Sequence, residues 1–541
     1  MSLKRMVSLL SAIALLAGII AGCDSSPGTE SRPASELEDQ PLTEELYPKD
    51  DVYTTYVTRS KYNMETSIQV DGTGVRPETI SSFPTTYDVK SLGGGTCANQ
   101  DVYGKYTSGE YDGQTHDEDI FRTRNGEKYG YSLLQGIHYM LPTENWNRFL
   151  LTQYQELISL GIKRLGMSEQ GIWGSVGYEE GFRQEWKAYY NEDWQPFWDD
   201  QELYYKAQQL KSHLMLRQIE QVFKPLKEAD PGLTLTLGSH TSLAYFSFTN
   251  PIANHDSMAL PYVDGMQGQT WSNTMELPFS YNGGSMARPF VNGYVDYSYW
   301  ANLGRQFPTK TISFTTDAKG DGYTGKSLED CFKLYQHQLA AQLIFPNVYR
   351  YDFEWPDRAY SAAGYSANPV STDAYKVIMN NITSLQGQMY KYQDAAQTPN
   401  RDIRVGALLL DTSNFQAGGP QSTVNNNSFY GLLAGLVYNG LLVDAIPVGS
   451  VKDDVNILGE YDIVLVSYDL MKPGNTLCSD NLKEYLQNGG TVLYMGGAGE
   501  YEDLSYSWWK KAGFDAPEEH LLSILGCDVT GRTVGLGASV L

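Results

Sequence analysis

The sequence predicts an α/β protein: a (β/α)8 barrel, the TIM-barrel class, followed by a flavodoxin-like α/β domain. Three observations predict it. From about residue 130 to 395, short apolar runs alternate with stretches of helical period, as a parallel sheet with crossover helices requires. A second, shorter alternation begins near Asp402. Several apolar runs of the first region end on an acid, an amide or a histidine, where a barrel keeps its chemistry.

In chain order, the N-terminus reads MSLKRMVSLLSAIALLAGIIAGC. Lys4 and Arg5 give it a positive start, and residues 7–20 form an apolar run too short for a comfortable membrane span. Ile20-Ala21-Gly22-Cys23 then matches a bacterial lipobox. Residues 1–22 are thus expected to be a lipoprotein signal peptide and Cys23 the lipidated N-terminus; a plain signal peptide or an anchor helix is the alternative. The expected location is the cell envelope, lipid-anchored and facing outside the cytoplasm. Residues 23–48 are rich in Ser, Pro and Glu and read as a tether.

The barrel is expected over residues 49–398. Its first two strands give weak signals, with candidates at 66–70 and 84–89. The third is 131–139 (YSLLQGIHY), followed by Thr143 as an N-cap and a helical stripe of Trp146, Phe149, Leu150, Tyr154, Leu157 and Ile158. The fourth is 162–169 (IKRLGMSE), followed by one long helical region at about 179–228. The fifth is 233–240 (LTLTLGSH), the sixth 263–271 (VDGMQGQTW), the seventh 309–317 (TKTISFTTD) and the eighth 347–355 (NVYRYDFEW). Helices near 291–305, 326–343 and 370–392 complete the alternation, and an open doubly wound sheet is the alternative.

The second domain, 402–541, has strands at 404–411 (RVGALLLD), 442–447, 461–468 (YDIVLVSY) and 491–495, with helices at 428–439, ended by Gly440, and 480–487. This reads as a flavodoxin-like (glutamine amidotransferase-like) unit. Residues 533–541 look like part of another strand, which suggests a longer product.

Composition narrows the function. With Lys+Arg 40 against Asp+Glu 64, the net charge of -24 repels phosphate backbones and argues against nucleic acid as a partner. The 40 Tyr and 10 Trp suit sugar stacking as well as ordinary cores. Cys97, Cys331, Cys478 and Cys527 are scattered, without zinc-site spacing or a disulfide framework. Residues 496–499 lack the G-x-G-x-x-G spacing and no G-x-S-x-G elbow occurs, so no redox cofactor is expected and an esterase is disfavoured. Asp317-Ala-Lys-Gly-Asp321-Gly322 departs from a calcium loop at Lys319 and Leu328, and the acidic run 112–119 reads as a solvated loop, so no metal is expected.

The chemistry is expected at the strand ends. Glu169 ends the fourth strand and Asp317 the seventh. Carboxylates facing each other across a barrel mouth are the apparatus of glycoside hydrolysis: one protonates the leaving oxygen, the other attacks the anomeric carbon or activates water. The acid needs a raised pKa, which an apolar wall such as Trp173 would supply. Asp352 and Glu354 end the eighth strand, and either could replace Asp317. Gln267, Gln269 and Trp271 end the sixth, His240 the fifth and His138 the third; these, with Trp173, are the candidate sugar-binding groups. A lipoprotein that captures a glycan without cleaving it is the competing reading.

Barrel plus flavodoxin-like domain resembles the family 42 β-galactosidases and related retaining hydrolases. That resemblance implies Glu169 as acid/base at strand four, Asp317 as partner carboxylate at strand seven, and a second domain of trimerisation type, hence a homo-oligomer. Two positions depart from the pattern: the family acid follows an Asn, whereas Ser168 precedes Glu169, and the family nucleophile is a Glu. The shorter Asp317 could widen the gap and favour inversion. The chain also looks like bacterial barrel proteins of unassigned activity that share segments such as YMLPTENW, GYEEGFRQEW and VYRYDFEW.

Overall fold

In the computed structural model the described residues are 52–54, 67–68, 104–130, 136, 138–159, 163–167, 172–240, 251, 253–270, 276, 278–316, 328–345, 350–353, 403–416, 425–449, 456–496, 504 and 507–526. Their strands are β1 (Val52–Thr54), β2 (Ser67–Ile68), β3 (Arg164–Met167), β4 (Thr234–His240), β5 (Gly265–Thr270), the hairpin β6 (Phe279–Tyr281) and β7 (Gly284–Met286), β8 (Thr311–Thr316), β9 (Arg350–Phe353), β10 (Val405–Leu410), β11 (Val443–Val448), β12 (Ile463–Val466) and β13 (Thr491–Tyr494). The helices used below are α1 (Glu144–Ser159), α2 (Glu180–Tyr190), α3 (Gln201–Ala229), α4 (Asn254–Ala259), α5 (Pro289–Gln306), α6 (Leu328–Gln342), α7 (Ser413–Gln416), α8 (Asn425–Tyr438) and α9 (Leu477–Gln487).

The larger sheet has seven parallel strands in the order β2-β1-β9-β8-β5-β4-β3. Apart from the hairpin and the two edge strands β2 and β3, strands adjacent in sequence are adjacent in space, and the first pairs with the last. A doubly wound sheet reverses its order at a switch point; this one does not. The order is the cyclic one expected of a (β/α)8 barrel, and the described strands leave β2 and β3 as the two edges of the sheet. The third expected strand, 131–139, lies largely outside the described residues.

Local physics accounts for the elements. Thr143 Oγ1 accepts from the Trp146 amide at 3.2 Å, which caps α1, and the apolar stripe of that helix is buried through Trp146, Phe149, Leu150 and Tyr154. The long helical region expected at about 179–228 consists of two helices, α2 and α3. Asn191 adopts the left-handed conformation (φ 55°) and closes α2 through a bond to the Lys187 carbonyl; Asp200 opens α3 by accepting from the Leu203 amide at 2.8 Å. Local capping thus outweighs the continuous apolar period. The strand candidate 66–70 contains β2, whereas β1 at Val52–Thr54 is a strand that the pattern does not flag, and 84–89 lies outside the described residues. The described end of 131–139 forms isolated antiparallel bridges, Gly130 with His138 and Ile120 with Met140, because the 117–130 loop folds back along it.

The second sheet is parallel in the order β11-β10-β12-β13. Numbered by chain order this is 2-1-3-4, the flavodoxin-like arrangement. Gly440 (φ 89°) ends α8: its amide bonds to Val437 O at 3.0 Å and that of Leu441 to Leu436 O at 3.0 Å.

Helix α5 joins the two units. It is buried from Val291 to Leu303, on all sides, because it lies between the sheets. One side meets β5, where Trp300 covers Gly268 so closely that a Cβ there would sit 2.6 Å from the indole. The opposite side lies along the edge strand β11. Ser298 Oγ accepts from the Ala445 amide at 2.8 Å, Asn302 Nδ2 donates to Ala445 O at 3.0 Å, and Gln306 Nε2 donates to Pro447 O at 2.8 Å. Tyr294 donates to Asp444 at 2.9 Å. Residues at i, i+4, i+8 and i+12 share a helix face, so α5 satisfies the backbone groups an edge strand leaves open.

Candidate functional site

Strand register brings part of the expected site together. His240 pairs with Gln269, Gln269 with Thr315, Thr315 with Asp352, and Asp352 with Tyr53. Their Cα atoms form one rung near the C-terminal ends of five neighbouring strands. From His240 to Asp352 there are three inter-strand steps of about 4.8 Å, so these residues cover about 14 Å across the sheet. Gln267 lies two rungs lower, paired with Gly238 and Ser313. Asp317 directly follows Thr316, the last residue of β8, and Glu169 comes two residues after Met167, the last of β3. Glu169, Asp317, Trp271, Glu354 and Cys23 lie outside the described residues.

Two expected groups sit elsewhere, in the wall beside β3. Trp173 is half-buried against Tyr139, edge-on with ring centroids 5.9 Å apart, and against Tyr129 at 6.4 Å. His138 immediately precedes Tyr139 and bridges to Gly130, so it belongs to this aromatic wall and not to the rung.

Behind Trp173 lie two buried ionisable side chains, Lys211 and Glu179, that the strand-end reasoning misses. Lys211 on α3 donates to the carbonyls of Trp173 at 3.0 Å and Gly174 at 3.1 Å, with its ammonium over the rings of Phe197 and Phe182. Glu179 is wholly buried; its Oε2 accepts from the Arg122 amide at 2.8 Å, while Oε1 has no hydrogen-bond partner. Burial pushes the Glu179 carboxyl up to about 7, against the pull of the Arg122 amide and Lys211. Burial likewise pushes the Lys211 ammonium down to about 7, with Glu179 opposing. A signal existed: Lys211 interrupts the apolar stripe Tyr204, Ala207, Leu210, Leu214 of α3.

The acidic run 112–119 is divided among separate partners. His116 stacks on Tyr106 at 4.0 Å and meets Asp112 at 3.0 Å; Asp117 pairs with Arg122 and Lys128. Asp119 is buried and accepts from Tyr106 at 2.6 Å and Thr143 at 2.8 Å. Among the described residues no cluster of His, Cys, Asp and Glu could hold a metal ion.

The carboxyl end of the second sheet, where flavodoxin-like folds take ligands, is filled by the chain itself. Asp411 follows β10 at the switch point and accepts from the amides of His255 at 3.0 Å and Asp256 at 3.3 Å, in the first turn of α4. His255 Nε2 meets Gln306 Oε1 at 2.9 Å. Gly449 closes the crevice: a Cβ there would lie 1.9 Å from Asp256 Oδ1 and 2.5 Å from His255 Nδ1.

These features define the class: an α/β protein with a cyclically ordered parallel sheet, its chemistry expected at the carboxyl rim, and a flavodoxin-like sheet welded to its side. Known proteins agree on this fold. No protein-family model matches the sequence, and no curated protein matches it. Among solved structures, a catalytic mutant of Gan42B, a GH42 β-galactosidase from G. stearothermophilus, is similar with a TM-score of 0.51 at 12% identity, covering 79% of this chain and 66% of that one. Another Gan42B structure gives 0.50 at 14% identity, with 79% and 66% covered. The β-galactosidase of the psychrophilic Marinomonas ef1 gives 0.49 at 11%, with 80% and 71% covered. The chain spans 66% of the length of Gan42B. At these identities the likeness is a distant one, of fold.

Proposed function

We propose that this chain is a glycoside hydrolase that cleaves a glycan at the carboxyl rim of its larger sheet. The observation that carries the reading is the rung: His240, Gln269 and Asp352, read from sequence as sugar-site residues at three separate strand ends, have their backbones aligned on neighbouring strands. The distant fold likeness to β-galactosidases supports the same reading.

In this proposal Glu169 protonates the leaving oxygen, and Asp317 or Asp352 attacks the anomeric carbon or activates water. Trp173 and Trp271 stack on pyranose faces; His138, His240, Gln269 and Glu354 hydrogen-bond hydroxyls. No cofactor takes part. The protein works at the cell envelope, held by lipid on Cys23. Among the described residues no helix is long and apolar enough to cross a membrane. The second unit is an assembly surface for a homo-oligomer.

The test is to incubate the full chain with a panel of oligosaccharides and polysaccharides, β-galactosides included, and measure new reducing ends. Product from at least one glycan supports the proposal. Binding without product overturns it in favour of glycan capture.

A further inference from the structure

We propose that Lys211 is a positioning residue for a sugar platform at Trp173, with Glu179 tying down the far end of the same connection. The inference rests on the reading of Trp173 as a platform and extends it to two residues that touch no substrate. A platform has to present its ring at a fixed angle, and Trp173 lies on a connection, not on a strand or helix. Its ring meets those of Tyr139 and Tyr129. Something must fix the backbone beneath it.

Lys211 does this from a rigid element. It projects from the middle of α3 and gives hydrogen bonds to two successive carbonyls, Trp173 and Gly174. A charged donor on a neutral carbonyl makes a strong bond. Two carbonyls held from one nitrogen fix the direction of the peptide between them as well as its position. Glu179 then ties the far end of the same connection, through the Arg122 amide, to the 117–130 loop that carries Tyr129. Between them the chain turns at Gly177 (φ 116°), where a Cβ would press on Phe182 and Phe197 at 3.2 Å. Burying the Lys211 ammonium costs stability that an apolar side chain of the same volume would not. Its use here is to set geometry, because an apolar side chain cannot grip carbonyl oxygens.

The test is a double-mutant cycle on the full chain, with β-1,4-galactotetraose and cellotetraose as probes. Trp173→Ala is expected to weaken binding of at least one probe roughly tenfold. Lys211→Met keeps the length of the side chain and removes its donors; it should weaken the same probe to a similar degree. The decisive result is non-additivity: the double variant should bind no worse than Trp173→Ala alone. Hydrogen–deuterium exchange across 172–178 should rise roughly tenfold in Lys211→Met, the scale of losing charged hydrogen bonds. Additive affinity losses, or unchanged exchange across 172–178, overturn the inference. Should Lys211→Met fail to fold, Lys211→Leu, which removes the same donors with a shorter side chain, enters the same cycle under the same criteria. If Trp173→Ala leaves both affinities unchanged while exchange still rises in Lys211→Met, the platform reading falls and the two residues are a loop clamp only.

Discussion

Asn302 Nδ2 donates to the backbone oxygen of Ala445 at 3.0 Å, across the junction between the two units. The same amide donates to Ser298 O at 2.9 Å, and its oxygen accepts from the Tyr461 hydroxyl at 3.1 Å. One buried side chain thus serves a helix, an edge strand and a tyrosine of the second unit. Asn302→Ala removes these bonds, together with the one its oxygen accepts from Arg305 at 3.0 Å, and leaves the Ala445 carbonyl buried without this donor. The expected loss is about 1–3 kcal/mol of stability, read from the midpoint of urea unfolding.

The β5–α5 contact makes a packing prediction. Ala at position 268 would place its methyl 2.6 Å from the Trp300 indole, which cannot retreat because α5 is wedged between two sheets. Gly268→Ala is expected to cost about 1–3 kcal/mol. Gly431, exposed on α8, is the control: a Cβ there meets nothing within 4 Å. Gly431→Ala should stabilise by about 0.5–1 kcal/mol in the same experiment.

The plugged switch point makes the junction sensitive to pH. Burial, with the neighbouring Asp256, pushes the Asp411 carboxyl well above its ordinary 3.8, although His255 and the two amides oppose this. Burial works against charge on His255 too, but its hydrogen bond to Asp256, the nearby Asp411 and Gln306 outweigh it, and its pKa rises above 6.5. Both groups hold protons more tightly folded than unfolded. Their contribution is full below the unfolded values and is lost as pH rises through the folded ones. Wild-type stability should therefore fall as the pH rises from about 5 to about 8 more steeply than that of Asp411→Asn, in unfolding midpoints taken across that range. Equal slopes would remove Asp411 from the account.

Much of this architecture is legible in the sequence because parallel strands are buried on both faces and read as apolar runs. LTLTLGSH and RVGALLLD announce β4 and β10 in this way. The breaks that capping makes, at Asn191 and Asp200, are harder to read because the apolar period runs on across them. Of the site, the rung residues His240, Gln269 and Asp352 are legible as polar ends of apolar strands. The Lys211–Glu179 pair is not, since its partners are backbone groups whose approach depends on the tertiary fold. Docking of α4 on Asp411 is invisible for the same reason: it joins residues 255 and 411 through main-chain amides.

The second carboxylate can be chosen by mutation. Asp317→Asn and Asp352→Asn should differ: the catalytic one is expected to lower turnover by about 10²–10⁴-fold, and the other to act mainly on substrate affinity. Steady-state kinetics on any glycan the wild type cleaves separates them. Equal, small effects from both would exclude each as nucleophile or base.

The most direct test is turnover by Glu169→Gln, which keeps the shape of the side chain and removes its proton-donating carboxyl. The proposed chemistry predicts a fall of about 10²–10⁴-fold in glycan hydrolysis with glycan affinity retained; undiminished hydrolysis by Glu169→Gln would contradict it.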